Sequence, residues 1–260
     1  MKRRLTLFAA ALVFAGAAYA QTAPDAGDAA NPARPKAATD KRPKGAASLL
    51  DRTLRLNGAS GEMQLAKSDD GKSLRIVKLT LSGEVISDPA QKCEISIVGE
   101  APIEAVAKGV PNGLPRYDAD IPVCPLSFFA LNQAIYFAPQ PNACVFQAAD
   151  CQANPSGIWG PGADELAKQT KALTKDLSRA ETSISANLRT LNKRNKDGAS
   201  ALEKEENDFA ATRDDTCARY EGEASHAFCH TRFTEAHAAQ LRTRVAKEKD
   251  KKNDDSSSSD

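Results

Sequence analysis

The 260-residue chain has no dinucleotide fingerprint, no phosphate-binding loop and no G-x-S-x-G elbow. The common signatures of nucleotide-dependent and serine-hydrolase chemistry are therefore missing. Aromatic residues make up only 5% of the chain, and no apolar run after the first segment approaches the ~20 residues a membrane-crossing helix needs. A charge excess is also lacking: 35 Lys and Arg stand against 34 Asp and Glu, and without Lys2, Arg3 and Arg4 the balance is 32 minus 34, or −2. So even a balance excludes a binder of nucleic acid that works by electrostatics. None of the six cysteines forms a C-x-x-C pair, which argues against zinc ribbons and thioredoxin-type redox sites.

What is present begins with an address. Residues 1–20 read as a secretory signal: a basic start, an apolar run from Leu5 through Phe14, and small Ala18 and Ala20 framing a cut before Gln21. The first cysteine is Cys93, so no lipid anchor at the cut is expected. The mature protein is expected to be soluble, in the periplasm or secreted, with no membrane anchor. In an oxidising compartment Cys93, Cys124, Cys144, Cys151, Cys217 and Cys229 become disulfide candidates. Four of them lie in residues 93–151 and two in a separate helical stretch, which leaves three pairings, of which Cys93 with Cys124, Cys144 with Cys151, and Cys217 with Cys229 is the one expected.

The mature chain divides by composition. Residues 21–47 are Ala, Pro, Asp and Lys with few large apolar side chains, a linker too polar to offset its ordering entropy, and the charged, Ser-rich tail 247–260 is similar. Both are expected to be disordered. Between 48 and 150 the apolar period is two: Met63 and Leu65; Leu74 and Ile76; Leu79 and Leu81; Cys93, Ile95 and Ile97; Tyr117, Ala119, Ile121 and Val123. The phase slips between Ile76 and Leu79, which predicts a bulge near Val77. Turn signals at Asn57-Gly58, Asp70-Gly71 and Asn112-Gly113 separate the runs. A disulfide-braced, small antiparallel β domain follows, either a sandwich or an open barrel. Residues 151–161 look like an irregular Pro/Gly junction.

From 162 to 246 the period becomes helical, and the whole is predicted to be an α+β protein with a three-helix C-terminal domain. Leu166, Leu173, Leu177, Ala180, Ile184, Leu188 and Leu191 form the stripe of one long first helix. Ser200 and Glu203 suggest a capping box for the second helix, which carries Leu202, Phe209, Arg213, Cys217 and Tyr220 on one side. Gly222 stops it. The third helix runs from Glu223 to Ala246 with Phe228, Cys229, Phe233 and Leu241, and a bond between Cys217 and Cys229 would staple the two.

Glu206, Phe209, Arg213-Asp214 and Cys217 on one helix, then Cys229, Thr234 and Leu241 on the next, resemble the LprI-like family of secreted bacterial proteins, named after a lysozyme inhibitor. That family's pattern has Gln where this chain has Glu206, Trp where it has Phe209, and Arg where it has His237. The resemblance covers Gly162 to Lys247. It implies a non-catalytic binding protein that blocks lysozyme-like muramidases, its partner being lysozyme or another envelope protein. The alternative is a structural or interaction module of the bacterial cell envelope. By spacing alone, Glu206, Phe209, Arg213 and Cys217 share a helix face, with Phe209 in the core and Glu206 able to pair with Arg213.

Other chemistry is sparse. Trp159, the only tryptophan, sits in the junction, where it either locks the two domains together or is, with Arg213, a candidate partner-binding residue. His226, His230 and His237 fall on one helix face, but His230 and His237 are about 10 Å apart along the axis and cannot share an ion, so only His226 and His230 could chelate one together. No acid completes an H-E-x-x-H pattern, so no metal site is expected. Asp118 and Asp120 alternate with apolar residues, as on the wet face of a strand. No catalytic residue, cofactor or nucleic-acid partner is expected.

Overall fold

A computed structural model describes residues 45–140, 142–194, 198–220 and 222–257. The expected signal segment 1–20, the linker as far as residue 44, and residues 258–260 of the tail lie outside the described residues. Eleven strands come first: β1 (Thr53–Leu56), β2 (Ser60–Lys67), β3 (Leu74–Val85), β4 (Lys92–Ser96), β5 (Ile103–Ala107), β6 (Arg116–Ala119), β7 (Leu126–Leu131), β8 (Ala134–Phe137), β9 (Cys144–Phe146), β10 (Cys151–Ala153) and β11 (Gly157–Gly160). Four helices follow: α1 (Ala163–Ala167), α2 (Thr170–Arg194), α3 (Ala199–Cys217) and α4 (Glu223–Ser257).

The expected sandwich or open barrel is corrected to a closed barrel. Strands β1, β2, β3, β5, β6, β7, β8 and β11 pair antiparallel in that order, and β11 returns to β1 through Arg55↔Gly160 and Leu56↔Trp159. Closure leaves these eight strands without a free edge. The closing strand lies inside the stretch read as an irregular junction. All four of its residues are buried, so it has no alternation to read. Strands β7 and β8 hid for the same reason: Phe128, Ala130, Ile135 and Phe137 fill the interior, while Phe129, Leu131, Ala134 and Tyr136 lie under the helices. Period two survives on the wetter wall, where β2 buries Gly61, Met63 and Leu65. The bulge expected near Val77 is present: Leu65 pairs with Ile76 and Gln64 with Lys78, which leaves Val77 without an opposite residue on β2.

Side chains fill the barrel, as eight strands allow. Leu54, Met63, Leu65, Ile76 and Leu79 meet an aromatic file in which Tyr117 stacks on Phe128, Phe128 tilts on Phe137, and Phe137 meets Trp159 edge-on. Gly61, at φ +59°, makes room for the Trp159 ring. A Cβ there would stand 2.8 Å from that ring and 2.7 Å from the Thr80 carbonyl oxygen.

The far half of β3 leaves the barrel and pairs with β4 on one side and β10 on the other, and β10 pairs with β9. Two disulfides brace this extension, and both correct the expected pairing: Cys93 joins Cys151, and Cys124 joins Cys144. Cys144 lies opposite Ala153 and Cys151 opposite Phe146. These two cysteines are offset along their hairpin and do not face each other, despite their nearness in sequence. The third pair, Cys217–Cys229, is the expected one. No described cysteine is free, which fits a protein that matures in an oxidising compartment. No described helix is long and apolar enough to cross a membrane.

Four helices replace the expected three because the long first helix breaks after Ala167. The Lys168 and Gln169 N–H groups bond back three residues, to Glu165 and Leu166, tightening the turn before α2 starts. Gly198, not Ser200, caps α3, and the expected capping box does not form. Helix α4 continues past Ala246 to Ser257. It is the central helix, buried over most of its first half at Phe228, Cys229, Thr231, Arg232, Phe233 and Thr234. Leu166, Leu173, Phe228 and Phe233 cover Leu131, Ala134 and Ile158 of the barrel wall, and barrel and helices form one compact unit.

Tyr220 closes the joint by donating its hydroxyl to the Ile158 carbonyl of β11. Burial pushes that hydroxyl well above its usual pKa, so it stays protonated and a donor. Ile158 also accepts the Asn57 N–H at 3.0 Å. Tyr220→Phe thus leaves no orphaned carbonyl and should cost only about 1 kcal/mol, measured by urea unfolding.

Candidate functional site

The residues singled out by the sequence assemble where α3 lies against α4. The Glu206 carboxylate meets His237 Nε2 at 2.8 Å, and the His237 ring stacks on Phe209 with centroids 3.9 Å apart and planes 11° from parallel. Arg213 lies over the other end, its Cζ 5.7 Å from the Phe209 centroid. It donates from Nε to Asp214 Oδ1 at 2.9 Å. Asp214 Oδ1 is 3.5 Å from His230 Nε2, and the His230 ring is 4.4 Å from that of His226. Seven side chains thus run in file along the two helices, with Cys217–Cys229 fixing one end.

Two expectations change here. Glu206 pairs with His237 rather than Arg213, because Asp214, the next residue in the chain, holds the guanidinium. Trp159, the candidate partner anchor, is fully buried in the barrel, its Nε1–H donated to the Pro155 carbonyl at 2.8 Å. It has no face left for a partner. Arg213 keeps a side-chain exposure of 21%. Thr234 is buried and donates to the His230 carbonyl at 2.7 Å, and Leu241 packs with Leu191 and Leu202. Asp120 is exposed, as the strand alternation implies. Asp118 joins Arg116 and Ser127 in a cluster of hydrogen bonds that holds no histidine.

Burial, the Arg213 guanidinium and His226 together push the His230 imidazole below its ordinary pKa, against the pull of Asp214. Beyond His237 the seam opens into a groove of about 480 Å³ beside Asn112, Glu205, Gln240, Thr243 and Arg244. A second cleft, of about 1050 Å³, lies on the sheet extension, beside Ser82, Glu84, Lys92, Glu94, Gln152 and Asn154.

Sequence reasoning missed Arg232. Its side chain is 2% exposed, with Nη1 2.7 Å from Glu235 and 3.6 Å from Asp176 of α2, and its Cζ is 5.0 Å from the Phe228 centroid. The spacing of Arg232 and Glu235 was the available signal, but three residues apart is also what a solvent-exposed pair shows.

One exposed carboxylate sets an acid response. In the turn between β2 and β3, Asp70 accepts from the Ser68 hydroxyl and from the backbone N–H groups of Ser73 and Lys72, which hold its pKa at about 2. A depressed carboxylate stabilises the fold fully above its unfolded pKa of about 3.9, and that contribution is lost as pH falls through the folded value. Asp70→Asn should therefore flatten the decline in melting temperature between about pH 4 and pH 2, followed by thermal unfolding across that range.

The seam is a ladder of interhelical contacts beside the Cys217–Cys229 disulfide. The chain matches no protein-family model, no curated protein and no solved structure.

Proposed function

We propose that the chain is an exported, non-catalytic binding protein of the bacterial cell envelope, of the LprI-like kind, whose partner is a lysozyme-type muramidase. One observation carries the reading. Three positions depart from the family's pattern, and two of them, Glu206 and Phe209, both contact the third, His237. Isolated changes in a packed seam disrupt it. The three residues here fit one another through an interhelical hydrogen bond and a ring stack. The motif's two cysteines are bonded to each other as well. The signal at residues 1–20 and the three disulfides support delivery to the periplasm or the medium.

An inhibitor of this class acts by filling a cleft in which the enzyme holds two carboxylates. A closed barrel with a filled interior and a stapled helical layer suits that task, because a preformed surface loses little freedom on binding. The test is muramidase turnover on cell-wall substrate with the oxidised protein, using a reduced sample as control. Dose-dependent inhibition that disappears on reduction supports the proposal. Unchanged turnover in large molar excess sinks it.

A second reading, a structural module of the envelope, is favoured by one fact: Trp159, Glu206, Phe209 and His237 are all engaged internally. A partner retained from envelope extract, with muramidase activity untouched, would select it.

A further inference from the structure

The first turns of α4 carry a feature that the seam does not use. His226 and His230 are one helical turn apart and share a face. Their ring centroids are 4.4 Å apart, with His226 exposed and His230 partly so. Two imidazoles bound side by side to one ion, each at about 2.0–2.1 Å, would place their centroids roughly 4.5–5 Å apart. The sequence shows no acid beside this pair, but the fold supplies one from α3. Asp214 Oδ1 is 3.5 Å from His230 Nε2, long for a hydrogen bond and somewhat beyond the roughly 2.8–3.3 Å between adjacent ligand atoms on one ion, tetragonal or tetrahedral.

We propose that His226 and His230 chelate a divalent transition-metal ion, copper(II) before zinc, with Asp214 completing the protein's share of the coordination. The remaining positions are open to water. As the side chains stand, no group of three or more described His, Cys, Asp and Glu residues is placed to hold a metal ion. The site is accordingly an open two-histidine chelate, which Asp214 joins only by turning away from Arg213. Copper(II) is preferred because it binds imidazole more tightly than zinc does in the order of divalent affinities.

Two neighbours shape the site. Cys217–Cys229 sits three residues after Asp214 and one before His230, so the staple fixes the approach of α3's ligand to α4's and limits the ordering left for the metal to impose. Arg213 works in the opposite direction. Its guanidinium holds Asp214 Oδ1 from Nε at 2.9 Å and from Nη2 at 2.8 Å, competing for the carboxylate and adding a positive charge beside the incoming ion. His237 takes no part, being committed to Glu206 and Phe209. The inference is independent of the muramidase reading.

The test is a titration of the oxidised full chain with copper(II) at neutral pH in a weakly coordinating buffer. It is followed by electron paramagnetic resonance of the one-equivalent sample. The expected spectrum carries nitrogen couplings from two imidazoles. His226→Ala, at an exposed position, should keep the fold and weaken binding at least tenfold, and Arg213→Gln should tighten it. A spectrum without imidazole nitrogen, or an affinity unchanged in His226→Ala, overturns the site. Tight binding to wild type that Arg213→Gln leaves unaltered removes Asp214 from it.

Discussion

Trp159→Ala is expected to lower the unfolding free energy by about 3–5 kcal/mol, close to the largest loss any single side chain of the barrel can produce. Three properties add up at this position. The ring is fully buried, its Nε1–H is paired to the Pro155 carbonyl, and it closes the aromatic file through Phe137. The surrounding wall cannot collapse into the space, because Trp159 sits on the strand that seals the cylinder, held on both sides by β1 and β8. Trp159→Phe keeps part of the volume and loses the indole donor, and should fall between wild type and alanine. Because this is the only tryptophan, the comparison requires circular dichroism in urea, with the slope checked for two-state behaviour. An unchanged midpoint for the alanine variant would mean that the closing strand is not part of the cooperative unit.

Arg232→Ala is expected to cost about 3 kcal/mol, by leaving the partly buried Glu235 and Asp176 without their shared cation. The guanidinium also packs on Phe228, and its Nε finds no hydrogen-bond acceptor among the described residues. This is a costly group to bury, kept favourable by the two acids. The double change Arg232→Met with Glu235→Gln should recover most of the loss, since an apolar stem of similar volume removes charge and countercharge together. Thermal unfolding of the three proteins at low and high salt checks both statements. Burial predicts little dependence on salt, whereas a surface pair would show a clear one.

Legibility in the sequence followed the water. Where one face of a strand is wet, as on β2 and the first part of β3, alternation gave the strand and even its bulge at Val77. Where the helices cover the barrel, Phe128 to Leu131 and Ala134 to Phe137 are apolar on both faces, and periodicity has nothing to report. The closing strand Gly157–Gly160 was further disguised by the glycines that let it fit. Gly160 faces Phe228 so closely that a Cβ would stand 2.4 Å from the ring, and a residue chosen for close approach reads as a loop residue when seen alone. The helical seam was more legible, because Glu206, Phe209, Arg213 and Cys217 do share a face. Partners were not: spacing puts Glu206 near Arg213, while the interhelical approach gives Glu206 to His237 and Arg213 to Asp214. Contacts between elements distant in sequence carry no local signature, and Asp214 beside His230 is another of them.

The bond Cys93–Cys151 encloses Cys124–Cys144 along the chain, and this nesting bears on how the molecule comes to exist. A chain delivered from its N-terminus presents Cys93 and Cys124 together before Cys144 or Cys151 has arrived. The first bond open to it is therefore one the finished protein does not contain. Oxidation in order of arrival leads to an isomer that must be undone by thiol attack and exchange. Folding of the newly delivered chain should then be paced by reshuffling, and a disulfide isomerase should hasten it where added oxidant alone does not.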